Sequence, residues 1–338
     1  MELSVLPAAK PDLMPALSSD RCPGSAGAPL RLFEVPIPSG LRQYGEKVRA
    51  SALGSPAHLP VVVLGGISAD CFPAVRPDGR AGWWPGLIGP GCAVDPDRHC
   101  VIGIDFAADE TGASAPTTYD QAQVVSAALD AIGVDQPCTI IGASYGGMVG
   151  LALAEREPER VAQLVIVSAG AEPHPAATAA RELQRRVVTL GVESGHGEQA
   201  LAIARGMAML TYRTPAEFAE RFEGGIDESR PELGSSPGAY LKARGEAFLS
   251  VMSPTRYLSL SASIDRHRVN PAAIAVPCLL IGAESDQLVY PDQLRALSQN
   301  LSGPSELHLL GSLFGHDMFL KEAARIGGIV STVLGSRS

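Results

Sequence analysis

The stretch that decides the fold is Cys138-Thr-Ile-Ile-Gly-Ala-Ser-Tyr-Gly-Gly-Met148. Its apolar segment at 139–141 predicts a strand, and the Ala- and Leu-rich segment at 147–155 predicts a helix that follows almost at once. The glycines two residues before and two residues after Ser144 lack the bulk that would keep strand and helix apart. This G-x-S-x-G pattern between a strand and a helix places a serine hydroxyl at a strained turn, which is typical of a nucleophile.

Charge and hydropathy exclude several classes of protein. The chain has 338 residues and a net charge of −9 at pH 7. We predict no nucleic-acid partner, because nucleic-acid binding needs a basic surface, and no membrane partner, because no apolar segment is long enough to cross a bilayer. Residues 1–29 lack the pattern of a signal peptide and are predicted to be a flexible tail, so a cytoplasmic location is expected.

The six cysteines show no spacing typical of a metal site or a disulfide framework. We therefore predict no metal centre and no disulfide bond. Cys100, Cys138 and Cys278 fall in apolar, strand-like segments, where a free thiol behaves as a small hydrophobic group.

Six continuous apolar segments predict a mostly parallel central sheet covered by helices on both faces. They lie at 59–64, 99–106, 139–141, 162–168, 277–282 and 306–310. Helical patterns between them include 118–132, with Thr118 as the expected cap, and 291–301, which begins with Pro291. Strands that alternate with helices indicate an α/β fold.

The alternation stops between residues 171 and 270, where no convincing strand occurs. Candidate helices in this stretch lie at 181–190, 198–210, 215–222 and 240–252. An all-helical insertion between two core strands is the usual place of a lid in the α/β-hydrolase fold. We therefore expect an α/β-hydrolase core formed by residues 30–170 and 271–338, and a helical lid formed by residues 171–270.

A serine nucleophile needs a base and an acid that orients the base. In this fold they follow the serine in the order acid, histidine. Asp286 comes just after the strand predicted at 277–282 and is the favoured acid, with Glu284 as a competing candidate. His316 is the favoured base, because a glycine precedes it and it follows the last predicted strand.

Two backbone N–H groups are needed to hold the oxyanion that develops during acyl transfer. One is expected from Tyr145, directly after the serine. The other is expected from the loop after the first core strand, at Gly66 or, as the alternative, at Ile67.

Four further segments resemble the homoserine O-acyltransferase family. The segment Gly82-Trp-Trp-Pro-Gly-Leu-Ile-Gly-Pro-Gly91 looks like the family pattern G-W-W-x-x-x-I-G-P-G, and the segment 315–320 looks like G-H-D-x-F-L. Residues 204–222 and 257–265 are similar to its two lid segments. The resemblance covers about residues 30 to 335 and is far more specific than the G-x-S-x-G pattern alone.

The resemblance implies an enzyme whose serine takes an acyl group from acyl-CoA and passes it to the side-chain hydroxyl of an amino acid. It implies Ser144 as nucleophile, His316 as base and Asp286 as orienting acid. No permanently bound cofactor is implied, since acyl-CoA acts as a co-substrate, and a homodimer formed through the lid helices is expected.

For the amino-acid substrate, the resemblance implies that Arg205 pairs with the carboxylate, because a guanidinium fork suits it. Tyr212 would add a hydrogen bond to the same carboxylate, and Asp317 would hold the ammonium group.

Two segments depart from the commonest family pattern. The serine turn reads Ala-Ser-Tyr-Gly-Gly at 143–147, where many members have Gly-Ser-Met-Gly-Gly, and the oxyanion loop reads Gly-Gly-Ile-Ser at 65–68. Together with residues 174–178, they resemble the succinyl-transferring members, some of which act on serine. We therefore favour succinyl-CoA over acetyl-CoA, in methionine or cysteine biosynthesis.

The acceptor stays open between L-serine and L-homoserine, because one methylene gives only ~1–3 kcal/mol of discrimination. The same three catalytic groups would also serve an esterase, or an O-acyltransferase that uses a bulkier natural-product alcohol.

Overall fold

The computed structural model describes residues 29–222 and 235–335. Residues 1–28 of the predicted tail lie outside these ranges. Residues 223–234 of the predicted lid also lie outside them.

The core is one sheet of eight strands in the order β1-β2-β4-β3-β5-β6-β7-β8. The strands are β1 (Leu30–Pro36), β2 (Lys47–Leu53), β3 (Leu59–Leu64), β4 (His99–Ile104), β5 (Cys138–Ala143), β6 (Val161–Val167), β7 (Cys278–Ala283) and β8 (Ser305–Leu310). Strands β3 to β8 pair in parallel, as their continuous apolar segments predict. Each of these six strands lies within two residues of its predicted bounds.

Strands β1 and β2 were missed by the sequence analysis. They form an antiparallel pair that adds to β4 at one edge of the sheet. An edge strand is partly exposed, so its sequence mixes apolar and charged residues, as Leu30–Pro36 does. Such a segment lacks the continuous apolar pattern by which the other strands were predicted.

Ten α-helices are described in these residues. They are α1 (Thr118–Ile132), α2 (Tyr145–Arg156), α3 (Pro175–Glu193), α4 (Gly197–Tyr212), α5 (Pro215–Arg221), α6 (Ser236–Phe248), α7 (Pro254–Asp265), α8 (Pro291–Asn300), α9 (Met318–Lys321) and α10 (Ala323–Leu334).

The cap of α1 differs from the prediction by one residue. Thr117, not Thr118, accepts the hydrogen bond from the N–H of Asp120, and the Asp120 side chain accepts from the N–H of Thr117. This reciprocal pair satisfies two backbone donors at the helix start, so Thr118 becomes the first helical residue.

Helices cover both faces of the sheet and bury two apolar clusters. One cluster joins one face of the sheet to α1, α2 and the described helices between β6 and β7, with Val125 and Leu201 among its members. The other joins the opposite face to α10 and the 82–94 loop, through residues such as Trp84 and Ile326. This arrangement confirms the predicted α/β-hydrolase fold.

Helices α3 to α7 lie between β6 and β7, and no strand of the sheet occurs among their described residues. The 181–190 prediction captured only the middle of α3, and α7 was not predicted as a helix. The division of the chain into core and lid at residues 170 and 271 stays a prediction.

The cysteine prediction is correct in part. Cys71, Cys100, Cys138 and Cys278 are buried free thiols. Cys92, in contrast, is disulfide-bonded, which corrects the prediction at this position.

Candidate active site

Ser144 occupies the sharp turn between β5 and α2. Its backbone has φ 53° and ψ −119°, a conformation that is strained for a residue with a side chain. The turn is also crowded, since a Cβ added to Gly142 would lie 2.5 Å from the carbonyl oxygen of Gly146. The pattern of glycines around the serine therefore reflects a close approach of strand and helix.

Three side chains form one hydrogen-bonded chain at the carboxyl ends of the strands. His316 Nε2 lies 2.9 Å from Ser144 Oγ, and His316 Nδ1 lies 2.8 Å from Asp286 Oδ2. Ser144 follows β5, Asp286 follows β7 and His316 follows β8. Since parallel strands end at the same edge of the sheet, residues 172 positions apart in sequence meet there.

The carboxylate that contacts His316 belongs to Asp286, not to Glu284. Asp286 is 3% exposed, and its Oδ1 accepts hydrogen bonds from the N–H groups of Leu288 and Val289. These bonds fix the carboxylate so that Oδ2 faces His316. Glu284 is exposed.

His316 is buried beside two carboxylates. Burial alone would lower its pKa, but the charge and hydrogen bond of Asp286, with the charge of Asp317, outweigh this effect and raise the pKa above its ordinary value. The imidazolium form is therefore stabilised in place, as a base that accepts a proton from a serine requires.

The loop after β3 is tied to the serine turn. Gly65 accepts a hydrogen bond of 2.8 Å from the N–H of Gly146, and a Cβ added to Gly65 would lie 2.8 Å from the ring of Trp83. Gly66 comes next and faces open space. The N–H of Tyr145 belongs to the first residue of α2, which has no acceptor within the helix. The oxyanion roles of Gly66 and Tyr145 stay predictions.

The second tryptophan of the 82–91 segment supports the histidine. Trp84 is fully buried, and its Nε1–H donates to the backbone carbonyl of Phe319, three residues after His316. The Phe319 ring lies edge-on to both Trp84 and His316. The segment thus holds the loop that carries the histidine.

A small cavity opens onto Ser144 and His316. Helix α3 forms one wall through four residues of one face, and Leu288 and Val289 also line the cavity. The residues from α3 are Ala177, Ala180, Arg181 and Gln184. The sequence analysis missed them, although their i, i+3, i+4, i+7 spacing is the signal of one helix face.

Arg181 brings a positive charge to this cavity. Its Nε and Nη2 donate to Asp265 Oδ1 at 2.9 and 2.5 Å, and Arg185 Nη1 lies 2.6 Å from Asp265 Oδ2. One carboxylate thus faces two guanidinium groups, so this group of three carries a net positive charge. Arg181 and Asp265 are both mostly buried.

Two of the predicted substrate-binding residues contact each other. The guanidinium of Arg205 stacks on the rings of Tyr212 and Phe248, 5.1 and 4.7 Å from their centres. The Tyr212 ring lies 5.8 Å from that of His316 and lines the cavity. Within residues 29–222 and 235–335, no carboxylate forms an ion pair with Arg205.

Asp317, the third predicted substrate-binding residue, faces a buried charge cluster. Its Oδ2 lies 3.3 Å from Arg213 Nε, and Arg213 Nη1 lies 2.5 Å from Glu217 Oε1. Sequence reasoning did not anticipate this pairing. Any ammonium group that binds Asp317 has to share the carboxylate with Arg213.

Comparison with known proteins decides the family. Residues 60–323 match the profile of the α/β hydrolase fold family. The homoserine O-succinyltransferase of Xanthomonas campestris pv. campestris is 39% identical over 95% of this chain and 86% of its own. The chain belongs to the homoserine O-acyltransferase family. The enzyme is therefore an acyltransferase, which confirms the resemblance found in its motifs.

Two further proteins show how widely the likeness extends. The serine O-succinyltransferase of Stenotrophomonas maltophilia is 27% identical to the enzyme over 87% of this chain and 93% of its own. The crystal structure of a homoserine O-acetyltransferase from Bacillus anthracis superposes with a TM-score of 0.78 at 15% identity, over 91% of this chain and 98% of that one.

No group of metal-ligating side chains occurs in the part of the enzyme that the structure describes. None of its described helices is long and apolar enough to span a membrane.

Proposed function

We propose that the enzyme transfers an acyl group, preferably succinyl, from acyl-CoA to the side-chain hydroxyl of L-homoserine or L-serine. The observation that carries this proposal is the continuous hydrogen-bonded chain from Ser144 through His316 to Asp286. It is the arrangement that makes a serine nucleophilic, and it lies in a chain that belongs to an acyltransferase family.

In the first half-reaction, His316 Nε2 accepts the proton of Ser144 as its Oγ attacks the thioester carbonyl. Asp286 stabilises the imidazolium that forms. The N–H groups of Tyr145 and Gly66 would hold the oxyanion. When the tetrahedral intermediate collapses, the CoA thiolate leaves and takes the proton from His316, and an acyl-serine remains.

In the second half-reaction, His316 removes the proton of the acceptor hydroxyl, which attacks the acyl-serine and restores Ser144. Arg205 would bind the acceptor carboxylate and Tyr212 would hydrogen-bond to it. Asp317 would bind the ammonium group while it shares its charge with Arg213. Two half-reactions through one acyl-enzyme predict ping-pong kinetics.

Arg181 supports a donor with a terminal carboxylate. Its guanidinium lines the cavity beside Ser144, and the group of Arg181, Arg185 and Asp265 has an excess positive charge. A succinyl group attached to Ser144 would bring a carboxylate into this cavity, where a cation suits it. An acetyl group has no charge to pair with Arg181, so we favour succinyl-CoA over acetyl-CoA.

The experiment is CoA thiol release with a matrix of substrates. The donors are succinyl-CoA and acetyl-CoA, and the acceptors are L-homoserine, L-serine and none. We expect release that depends on an acceptor and is faster with succinyl-CoA. Faster release with acetyl-CoA would leave the transferase assignment and overturn the choice of donor. If no CoA is released with either amino acid or without an acceptor, the assignment is overturned and a natural-product acyltransferase that needs another alcohol is favoured.

An esterase is the second candidate, because the same three side chains can pass an acyl group to water. Equal CoA release with and without acceptor would favour it. The discriminating observation is the product, since an esterase releases free succinate whereas the proposed enzyme releases an O-succinyl amino acid.

The proposal includes a homodimer formed through the lid. Helices α3 and α4 pack together, and the exposed large apolar side chains of each include a pair that is seven residues apart. The pairs are Leu183 and Leu190 on α3, and Ile203 and Leu210 on α4. A seven-residue spacing puts each pair on one helix face, which suits contact with a second copy.

A cytoplasmic location also belongs to the proposal. The buried free thiols at four positions suit a reducing compartment, whereas the disulfide at Cys92 suits an oxidising one. Cell fractionation beside a cytosolic marker enzyme tests the location, and recovery outside the cytosolic fraction would contradict it.

A further inference from the structure

Helix α7 is attached to the core through one face. Its Arg256 donates to the carbonyl of Phe106 at 2.7 Å, and its Ser259 accepts from the N–H of Asp109 at 3.0 Å. Ser263, one turn further along the same face, is fully buried. Its hydroxyl contacts the serine turn itself, through the side chain of Tyr145.

Tyr145 is the residue directly after Ser144, and its side chain is 1% exposed. Its hydroxyl oxygen lies 2.5 Å from Ser263 Oγ, and its ring packs edge-on against Phe106 with the centres 4.8 Å apart. The same residue therefore provides the backbone N–H expected in the oxyanion site and the side chain that contacts α7.

The other face of α7 holds α3. The hydroxyl of Tyr257 donates to Gln184 at 3.0 Å, Ser261 accepts from Arg185, and Asp265 binds both Arg181 and Arg185. The positions 257, 261 and 265 are four residues apart and share one face. Two of the α3 side chains held in this way, Arg181 and Gln184, line the cavity at Ser144.

We propose that the hydrogen bond between Tyr145 and Ser263 is a latch that fixes α7 on the serine turn. Through α7 it fixes the α3 wall, with Arg181, relative to the acyl group on Ser144. Tyr145 is thus a positioning residue as well as an oxyanion donor. This inference rests on the proposed function, because its consequence concerns the acyl-enzyme.

The consequence is control over where the acyl group goes. When the α3 wall is fixed next to Ser144, it excludes water from the acyl-serine and leaves space for the acceptor. When the latch is lost, the wall is held only by its remaining contacts. The acyl-enzyme should then be hydrolysed more often for each transfer to an amino acid.

The test compares Tyr145→Phe, Ser263→Ala and the double variant. Tyr145→Phe keeps the ring and the backbone N–H and removes only the hydroxyl. For each protein, free acid and O-acyl amino acid are measured from the same reaction, with the donor that the wild type uses best. We expect the ratio of hydrolysis to transfer to rise about five- to tenfold in either single variant, as befits the loss of one buried hydrogen bond.

The double variant separates positioning from stability. Removing both hydroxyls leaves neither of them without its partner, and Gln121, which also reaches the Tyr145 hydroxyl, keeps its two bonds to Ala107. The melting temperature of the double variant should therefore recover towards that of the wild type. Its ratio of hydrolysis to transfer should stay as high as in the single variants, because the latch is still absent. A ratio that recovers together with the melting temperature would show a merely structural role and overturn the proposal.

Ser126→Ala is the matched control. Ser126 is buried on α1, and its hydroxyl donates to Glu157 at 2.6 Å, away from α3 and α7 in the hydrogen bonds of the described residues. We expect a similar loss of melting temperature and an unchanged ratio. An equal rise in the ratio for Ser126→Ala would also overturn the latch.

The wild type alone tests the proposed function, by whether it forms an O-acyl amino acid, so this test is separate from that of the latch. If the wild type forms no O-acyl product, the same variants are compared on hydrolysis of p-nitrophenyl acetate. A latch predicts equal changes in kcat for Tyr145→Phe and Ser263→Ala that do not add in the double variant. Additive changes would overturn it.

Discussion

At the residue scale, two serines share a positive backbone φ but differ in their surroundings. Ser144 and Ser168 have φ values of 53° and 52°, and they are the positive-φ residues other than glycine in the described ranges. Ser144 Oγ lies beside His316, whereas the buried Ser168 Oγ has no hydrogen-bond partner there. A positive φ alone therefore does not predict a nucleophile, whereas a histidine within hydrogen-bond distance of the hydroxyl does.

Ser144→Ala should abolish acyl transfer, with a loss of about 10³-fold or more. CoA thiol release with succinyl-CoA and L-homoserine or L-serine measures it. Ser168→Ala is the control and should keep wild-type activity, because its hydroxyl makes no bond to lose. More than a few per cent of activity in Ser144→Ala would contradict the nucleophile assignment.

The pKa of His316 predicts the pH profile. The base must be neutral, so kcat/KM should fall as pH drops through this pKa. Because burial is outweighed by Asp286 and Asp317, the acid limb should lie above the ordinary histidine value of 6.5. In Asp286→Asn, the residual activity should show this limb at lower pH, since the charge that raises the pKa is gone. An unmoved limb would mean that another group controls the profile.

At the element scale, the junction between β5 and α2 depends on small residues. A Cβ on Gly142 would clash with the backbone of Gly146 and Gly147. Because these atoms belong to the backbone, no side-chain movement can relieve the clash. Gly328, in contrast, lies on α10 with open space around it. The same substitution should therefore have opposite effects at these two glycines.

Gly142→Ala should lower the free energy of unfolding by about 1–3 kcal/mol, because the added methyl forces strand and helix apart. Gly328→Ala should raise it by up to about 1 kcal/mol, because alanine favours a helix. Urea unfolding followed by circular dichroism measures both. A stable Gly142→Ala would contradict the close approach.

A buried histidine joins the two ends of the helical insertion to the core. His267 Nδ1 lies 2.9 Å from Thr118 Oγ1, and His267 Nε2 lies 3.1 Å from the carbonyl of Gly170. The N–H of Val269 also donates to the carbonyl of Ala171. Burial lowers the pKa of His267 to about 4, so it is neutral in the folded enzyme at neutral pH.

The pKa of His267 is lower in the folded enzyme than in the unfolded chain. The stability that neutral His267 contributes is therefore fully present above the unfolded pKa of about 6.5 and is lost as pH falls towards 4. The free energy of unfolding should thus decrease by about 3 kcal/mol across this window. His267→Gln should be less stable at pH 7 and lack this part of the slope. His196→Gln, at an exposed site, should keep it. Equal slopes in wild type and His267→Gln would contradict the assignment.

At the scale of the whole molecule, the exposed apolar faces of α3 and α4 predict a homodimer. Ile203→Glu with Leu210→Glu should give a monomer by equilibrium sedimentation, because two charges would be buried at the interface. Leu32→Glu, on the edge strand β1, is the control and should leave the dimer intact. A wild-type monomer would contradict the predicted interface.

Much of the fold and of the site was open to prediction from local patterns. Continuous apolar segments indicated β3 to β8, and glycine spacing with chain order indicated Ser144, Asp286 and His316. The mixed sequences of β1 and β2 hid them, as described above. The α3 wall was missed because helix periodicity shows that a face is buried, but not which residues it is buried against.

What the sequence determined by itself is the fold class, the turn at Ser144 and the family, since these depend on short-range spacing and on motifs. Only the tertiary structure decided that Arg181 lines the cavity, that Asp317 is paired with Arg213, and that Tyr145 reaches Ser263. Each of these is a contact between elements far apart in the chain. Its geometry follows from how helices pack over the sheet, which no local pattern records.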